Sequence, residues 1–160
     1  MVDNLLILGA GSMQIPIIKK AKDLGYTTIV VDFDENAPGI KFADKFYNTS
    51  TLDKEGVLDI AKKENISGLL TTSDAPVRVV SFVGKKLGIP CMSEKVSEIC
   101  TNKYLQRLLF SNNGINCPDF ILCDPQTDIS SLKKFPYIVK PVDSSASRGV
   151  TKVHNQDELT

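Results

Sequence analysis

LLILGAGSMQIPIIKKAKDLGYTTIVVD, residues 5–32, sets two apolar runs on either side of one helical segment. The first run, Leu5-Leu6-Ile7-Leu8, meets Gly9-Ala10-Gly11, and the second, Thr28-Ile29-Val30-Val31, closes on Asp32. Runs this apolar fit strands buried on both faces, and with the segment ending at Gly25 they predict a βαβ unit of a parallel sheet. Two glycines in the first turn let backbone approach whatever lies above the carboxyl ends of the strands. Ser12 is placed to cap the helix, and Pro16 falls in its first turn, where a missing N–H costs least. Free N–H groups and a positive dipole end at such a helix start suit an anion. The turn is therefore read as a ligand site.

A dinucleotide fingerprint, G-x-G-x-x-G, needs a third glycine for close packing of helix on strand. Here that position is Gln14, while Asp32 lies where an acidic residue reaches a ribose. An NAD(P)-binding oxidoreductase module thus stands as an alternative, and a non-catalytic interaction module as a third class.

Composition narrows the field. The chain has 160 residues, 42% hydrophobic and 24% charged, which suits one soluble domain or one domain and part of another. Nineteen basic residues balance nineteen acidic ones without a basic stripe, so nucleic acid is not an expected partner. No apolar run approaches the roughly 20 residues that span a bilayer, and Met1-Val2-Asp3-Asn4 lacks a basic leader. A cytoplasmic protein with no membrane partner is expected, with a homo-oligomer left open. Cys91, Cys100, Cys117 and Cys123 show no C-x-x-C pairing and His154 is the only histidine, so no metal site is expected. The cysteines read as buried, reduced thiols.

Onward from Asp32, the acidic Phe33–Gly39 stretch reads as a loop and Lys45–Asn48 as an edge strand. Asp53–Lys63 has the pattern of an amphipathic helix burying Val57, Leu58, Ile60 and Ala61. Ile66–Thr71 reads as a buried strand. Thr72–Pro76, with Asp74, is placed to cap a helix reaching Leu87, and Gly88–Cys91 reads as a last short strand. Alternation of this kind predicts a Rossmann-like, doubly wound α/β domain over 1–93. After Ser93 one long helix is expected over Glu94–Asn112, stopped by Asn113-Gly114. Strands are then expected at Pro118–Leu122, Tyr137–Pro141 and Val150–Val153, with a short helix within Asp128–Lys134 and a helix capped by Asn155. Residues 94–160 would form a linker helix and an incomplete α+β unit.

The richest chemistry lies at Phe135–Val150. Lys140 ends an apolar strand that holds its stem and leaves the ammonium free for a phosphate. The loop Asp143-Ser144-Ser145-Ala146-Ser147-Arg148-Gly149 can fold its N–H groups over phosphate oxygens. Lys103, in Thr101-Asn102-Lys103-Tyr104, adds a second cation at a helix start.

Together these segments resemble the ATP-grasp superfamily, which includes biotin carboxylase, the carbamoyl-phosphate synthetase large chain, D-alanine–D-alanine ligase and amino-acid ligases. Gly9–Pro16, Gly25-Tyr26, Asp32 and Ala43-Asp44 look like its Rossmann-like preATP-grasp domain. Asn102-Lys103, Gly114–Pro118, Phe135-Pro136, Lys140-Pro141 and the loop to Gly149 look like the opening of its ATP-grasp domain. The serines with Arg148-Gly149 sit nearer the carbamoyl-phosphate-synthetase-like and amino-acid-ligase branches than biotin carboxylase. The resemblance implies an ATP-dependent carboxylate–amine ligase working through an acyl phosphate. It implies ATP phosphates on Lys103, Lys140, Ser144, Ser145, Ser147, Arg148 and Gly149. It further implies small-molecule substrate near Gly9, Gly11, Ser12, Gln14, Asp32 and Asp74. The adenine hinge and magnesium ligands of such enzymes fall beyond Thr160, so the chain is expected to be the front fragment of a longer ligase, inactive alone, with ATP and magnesium as cofactors of the whole.

Overall fold

The structure, a computed structural model, describes residues 3–159. Met1 and Val2, with the leader reading placed on them, and Thr160 lie outside the described residues. The chain divides into two compact units between Thr101 and Asn102.

The first unit is a parallel sheet of β1 (Asn4–Leu8), β2 (Thr27–Asp32), β3 (Lys45–Asn48) and β4 (Gly68–Thr71), in the order β3-β2-β1-β4. Its helices are α1 (Ile15–Asp23), α2 (Lys54–Lys63), α3 (Val77–Leu87) and α4 (Glu94–Cys100). Because successive strand residues face opposite ways, Ile7 and Val30 point to one face with Ile18 and Ala21 of α1. Leu6, Leu8, Ile29 and Val31 point to the other, with Val57, Leu58 and Ala61 of α2 and Val79, Val80 and Val83 of α3. Both faces of the central strands are fully covered, which is why these runs are apolar throughout. The doubly wound α/β reading holds. Asp53 caps α2 by accepting from Gly56 N at 3.1 Å, and Val57, Leu58, Ile60 and Ala61 are buried as expected.

The loop from β2 to β3 carries only a 3-10 turn, Ile40–Phe42, and is tied down twice. Gly39 N donates to Ala10 O at 2.6 Å. The Asp44 carboxylate accepts from Thr28 N at 2.9 Å and Thr28 Oγ1 at 2.8 Å and pairs with Lys22 at 2.6 Å.

Several elements differ from expectation, each for a local reason. Ser12 does not cap α1: a 3-10 turn, Ser12–Gln14, precedes the helix, whose N-cap Gln14 has no side-chain cap bond, although Pro16 does sit in the first turn. Thr72–Pro76 likewise leads into α3 without a side-chain cap. Gly88–Cys91 is not a strand, because Ile89 N returns to Gly84 O at 2.9 Å to close α3. The long helix is two helices. Asn102 takes an extended conformation and its Oδ1 accepts from Tyr104 N and Leu105 N, both at 3.0 Å, starting a new helix, α5 (Lys103–Asn112). The cysteines are not buried: Cys91, Cys100 and Cys123 are exposed and Cys117 half-buried, and none of the four is in a disulfide.

The second unit holds α5, stopped at Gly114 by Ile115 N donating to Phe110 O at 2.9 Å. A single 3-10 turn, Ile129–Ser131, replaces the short helix expected within Asp128–Lys134. Its antiparallel ribbon pairs β5 (Tyr137–Val139) with β6 (Thr151–Val153). Pro118–Leu122 is not a strand; Ile121 and Leu122 are exposed and no neighbouring strand among the described residues takes up its backbone groups. Asn155 Oδ1 does accept from Glu158 N at 3.0 Å, but a turn rather than a helix follows it.

Candidate functional site

In the first unit the strand order reverses between β1 and β4, and the crevice above their carboxyl ends is where open α/β sheets bind ligands. Gly9, at φ +104°, turns the chain there, and Gly9 N closes the turn on Val31 O at 2.8 Å. Gln14 occupies the place of the third glycine. Its side chain, 6% exposed, lies under the turn, so that a Cβ on Gly9 would meet Gln14 Cδ at 3.2 Å and one on Gly11 would meet Oε1 at 3.1 Å. Its Nε2 crosses the crevice to donate to Thr72 Oγ1 at 2.6 Å and Ser73 Oγ at 3.2 Å. Gln14 is thus a latch between the glycine turn and the loop after β4.

Asp32 serves the same turn. Its Oδ2 accepts from Ala10 N at 2.7 Å and its Oδ1 from Asp34 N at 3.0 Å, so both oxygens hold backbone. This corrects the dinucleotide alternative: the side chain of Gln14 fills the space where the pyrophosphate turn needs a bare glycine, and the acid meant for a ribose is engaged by the turn itself. Ser12 and Asp74 are exposed on the rim of the crevice, and Gly11 half-buried within it.

The second unit gathers the other candidates. Lys103 is the first residue of α5; its N donates to Val142 O at 2.8 Å and its Nζ to Ser144 O. This fixes the lysine against the small-residue loop that follows β5. Lys140, exposed, is the residue after β5 and opens the same loop. Ala146 and Ser147 have φ of 53° and 57°, and Arg148 N donates to Ser145 O at 3.2 Å, closing a tight left-handed turn without glycine. Gly149, at φ +70°, follows; a Cβ there would meet Pro141 Cγ at 2.9 Å, so the loop lies against Pro141. Ser144 and Ser145 are half-buried, while Ser147, Arg148 and Gly149 are exposed. Lys103, Lys140 and Ser144–Gly149 are therefore brought to one loop, as the sequence suggests.

The perturbed carboxylates lie away from both places. Hydrogen bonds from Lys45 at 2.6 Å and from Tyr47 hold the Glu64 carboxyl below its usual range, and Lys85 at 2.8 Å does the same for half-buried Glu94. An apolar recess lies along β4, lined by Leu69, Val77, Val80, Pro90 and Met92, and a polar one lies among Lys54, Arg78, Glu94 and Glu98. Neither includes the glycine turn. Among the described residues no group of three or more His, Cys, Asp or Glu could hold a metal ion. Nothing local in the sequence marks Thr72 and Ser73 as partners of Gln14. They lie 58 and 59 residues from Gln14, and only the pairing of β4 beside β1 brings them to it.

The chain is similar to known proteins over most of its length. The family described as PylC-like, N-terminal domain, matches residues 5–92. The formate-dependent phosphoribosylglycinamide formyltransferase of Wolinella succinogenes is 27% identical over 162 residues, covering 98% of this chain and 42% of that protein. Among solved structures, an L-amino acid ligase from Bacillus licheniformis superposes with a TM-score of 0.75 at 24% identity, covering 98% of this chain and 40% of the other. N5-carboxyaminoimidazole synthetase from Staphylococcus aureus, complexed with ADP, gives 0.83 at 18% identity, covering 98% and 43%. The chain spans about two-fifths of the length of these relatives.

Proposed function

The chain belongs to the PylC-like N-terminal domain family of the ATP-grasp superfamily, and from that premise we propose that it supplies the substrate-side domain and the first phosphate-holding loop of an ATP-dependent carboxylate–amine ligase. In this reading ATP phosphorylates a carboxylate and an amine displaces the resulting acyl phosphate. The observation that carries it is the seating of Lys103 on the loop that Lys140 opens. Phosphoryl transfer asks a protein for positioned cations and N–H donors rather than a side-chain nucleophile, and this loop offers both. Lys140 supplies an exposed ammonium, Lys103 holds the loop by Ser144 O, and Ser145–Gly149 turn their backbone over Pro141. The crevice at Gly9–Gln14 and Thr72–Asp74 is assigned to the small-molecule acceptor. Magnesium is typical of such ligases, and among the described residues no group of three or more His, Cys, Asp or Glu could hold it.

Titration of the ¹⁵N-labelled chain with ATP tests the reading. Shifts are expected at Lys103 and Ser144–Gly149, with affinity near millimolar, on the order of 4 kcal/mol, and falling with salt. Lys140→Ala is expected to abolish them, and to lower ATP-dependent ligation by a protein containing this region about a hundredfold. NAD that binds and is lost in Asp32→Ala, or ATP shifts elsewhere than this loop, would overturn the assignment.

A further inference from the structure

The chain has nine asparagines, and only Asn113 is followed by glycine. A backbone nitrogen attacks the side-chain amide of a preceding asparagine only when it can come close, and a residue without Cβ leaves that approach open. Asn113 and Gly114 are both exposed, at the end of α5. Gly114 N is held by a single long bond, 3.3 Å to Ser111 O. Asn112 and Asn116 are exposed as well, but Asn113 and Cys117 follow them, so exposure alone does not single out the pair.

The fold restrains this pair without closing it off. At an Asn113 ψ of 15°, Gly114 N nearly eclipses Asn113 N, whereas a five-membered ring needs it to eclipse Cβ. The Asn113 side chain is also tied back, its Nδ2 donating to Leu109 O at 2.8 Å. Reaction must therefore wait for the last turn of α5 to open, an event of low cost at an exposed helix end. The same residues close the helix. Asn113 N donates to Phe110 O at 3.1 Å and Ile115 N to the same oxygen at 2.9 Å. This closure turns the chain back along α5, where the Phe120 ring stands edge-on to Tyr104 with centroids 5.7 Å apart.

We propose that Asn113 is a site of spontaneous deamidation, and that the modification releases the C-terminal closure of α5. Gly114 N bonds to Asn113 Cγ, and the side-chain nitrogen leaves as ammonia, taking the Gly114 proton with it. Water then opens the resulting succinimide at one of its two carbonyls, giving isoaspartate or aspartate. Isoaspartate routes the backbone through Cβ and takes Ile115 N out of register with Phe110 O. Aspartate sets a carboxylate in place of the Nδ2 donor, facing Leu109 O at the negative end of the helix dipole. Incubation of the whole chain in mildly alkaline buffer, with and without urea, tests this by peptide mass mapping and isoaspartate detection. Product is expected at Asn113 ahead of Asn112 and Asn116, and about fivefold more slowly in the folded chain than in urea, the worth of one side-chain hydrogen bond. Gly114→Ala should suppress it; since φ is +68° there and that variant is strained, Asn113→Gln, which lacks the five-membered route, serves as a second block. Asn113→Asp should lower amide-exchange protection at Ile115 by about fivefold. No product at Asn113, equally fast product at Asn112 or Asn116, reaction no slower in the folded chain than in urea, or unchanged Ile115 protection in Asn113→Asp would overturn the proposal. None of these outcomes depends on ATP or on the ligase reading.

Discussion

Gln14→Ala probes the feature that sets this chain apart from a dinucleotide-binding turn. The substitution removes two hydrogen bonds, 2.6 Å to Thr72 Oγ1 and 3.2 Å to Ser73 Oγ. A net hydrogen bond contributes about 1 kcal/mol; the second is long and both hydroxyls can regain water, so the pair is worth about 1–1.5 kcal/mol. Loss of a methylene packed under Gly9 adds about 0.8 kcal/mol. The total is about 2 kcal/mol. For a unit of this size that corresponds to a fall in melting temperature on the order of 10 °C. Gln14→Leu restores the carbon volume and forfeits only the polar part, so it should lie about midway between Gln14→Ala and the parent chain. The assay is urea denaturation with amide exchange at Leu8 and Val31 to report the first unit. A Gln14→Ala chain within about 0.5 kcal/mol of the parent would refute the latch, because surface-like substitutions fall in that range. So would a Gln14→Leu chain equal to the parent, since it would leave the two bonds with no weight.

Gly39→Ala should destabilise the first unit by at least about 2 kcal/mol in the same denaturation assay, since its Cβ would stand 2.5 Å from Ala10 O and part a backbone bond of 2.6 Å. Asn102→Ala should cost about 1 kcal/mol, seen as loss of exchange protection at Tyr104 and Leu105, whose N–H groups it caps. Glu64 should make stability pH-dependent on the acid side. Its folded carboxyl is held down first by Lys45 and then by Tyr47, so its contribution is complete above an unfolded pKa of about 4.3 and is lost as pH falls through the folded value. Urea melts at neutral and acid pH should therefore show Glu64→Gln clearly weaker than the parent near neutrality and the two converging in acid; a constant difference would remove the carboxylate from the account.

The strands of the first unit were legible because burial on both faces leaves a local mark. Ile7 and Val30 face α1 while Leu6, Leu8, Ile29 and Val31 face α2 and α3, so nothing polar interrupts either run. The helix stops at Gly25 and Gly114 were legible for a similar reason, since a left-handed residue ending a helix is a property of a few neighbouring positions. Lys103, Lys140 and the Ser144–Gly149 loop could be singled out by residue type, but the seating of Lys103 on Ser144 O rests on folding.

Elsewhere local pattern misled. Gly88–Cys91 has strand composition, yet Ile89 N completes the end of α3 and Cys91 packs against Gly84, leaving no ladder to join. The apolar spacing of Glu94–Asn112 runs on through Asn102, but a side chain that accepts two N–H groups at once starts a second helix there. The meaning of Gln14 was the least readable of all. In the sequence it is a missing glycine; its partners Thr72 and Ser73 become neighbours only because β4 pairs with β1 rather than with β3. Hydrophobic pattern is written along the chain, residue by residue, whereas a hydrogen bond across a crevice depends on which strands the sheet sets side by side.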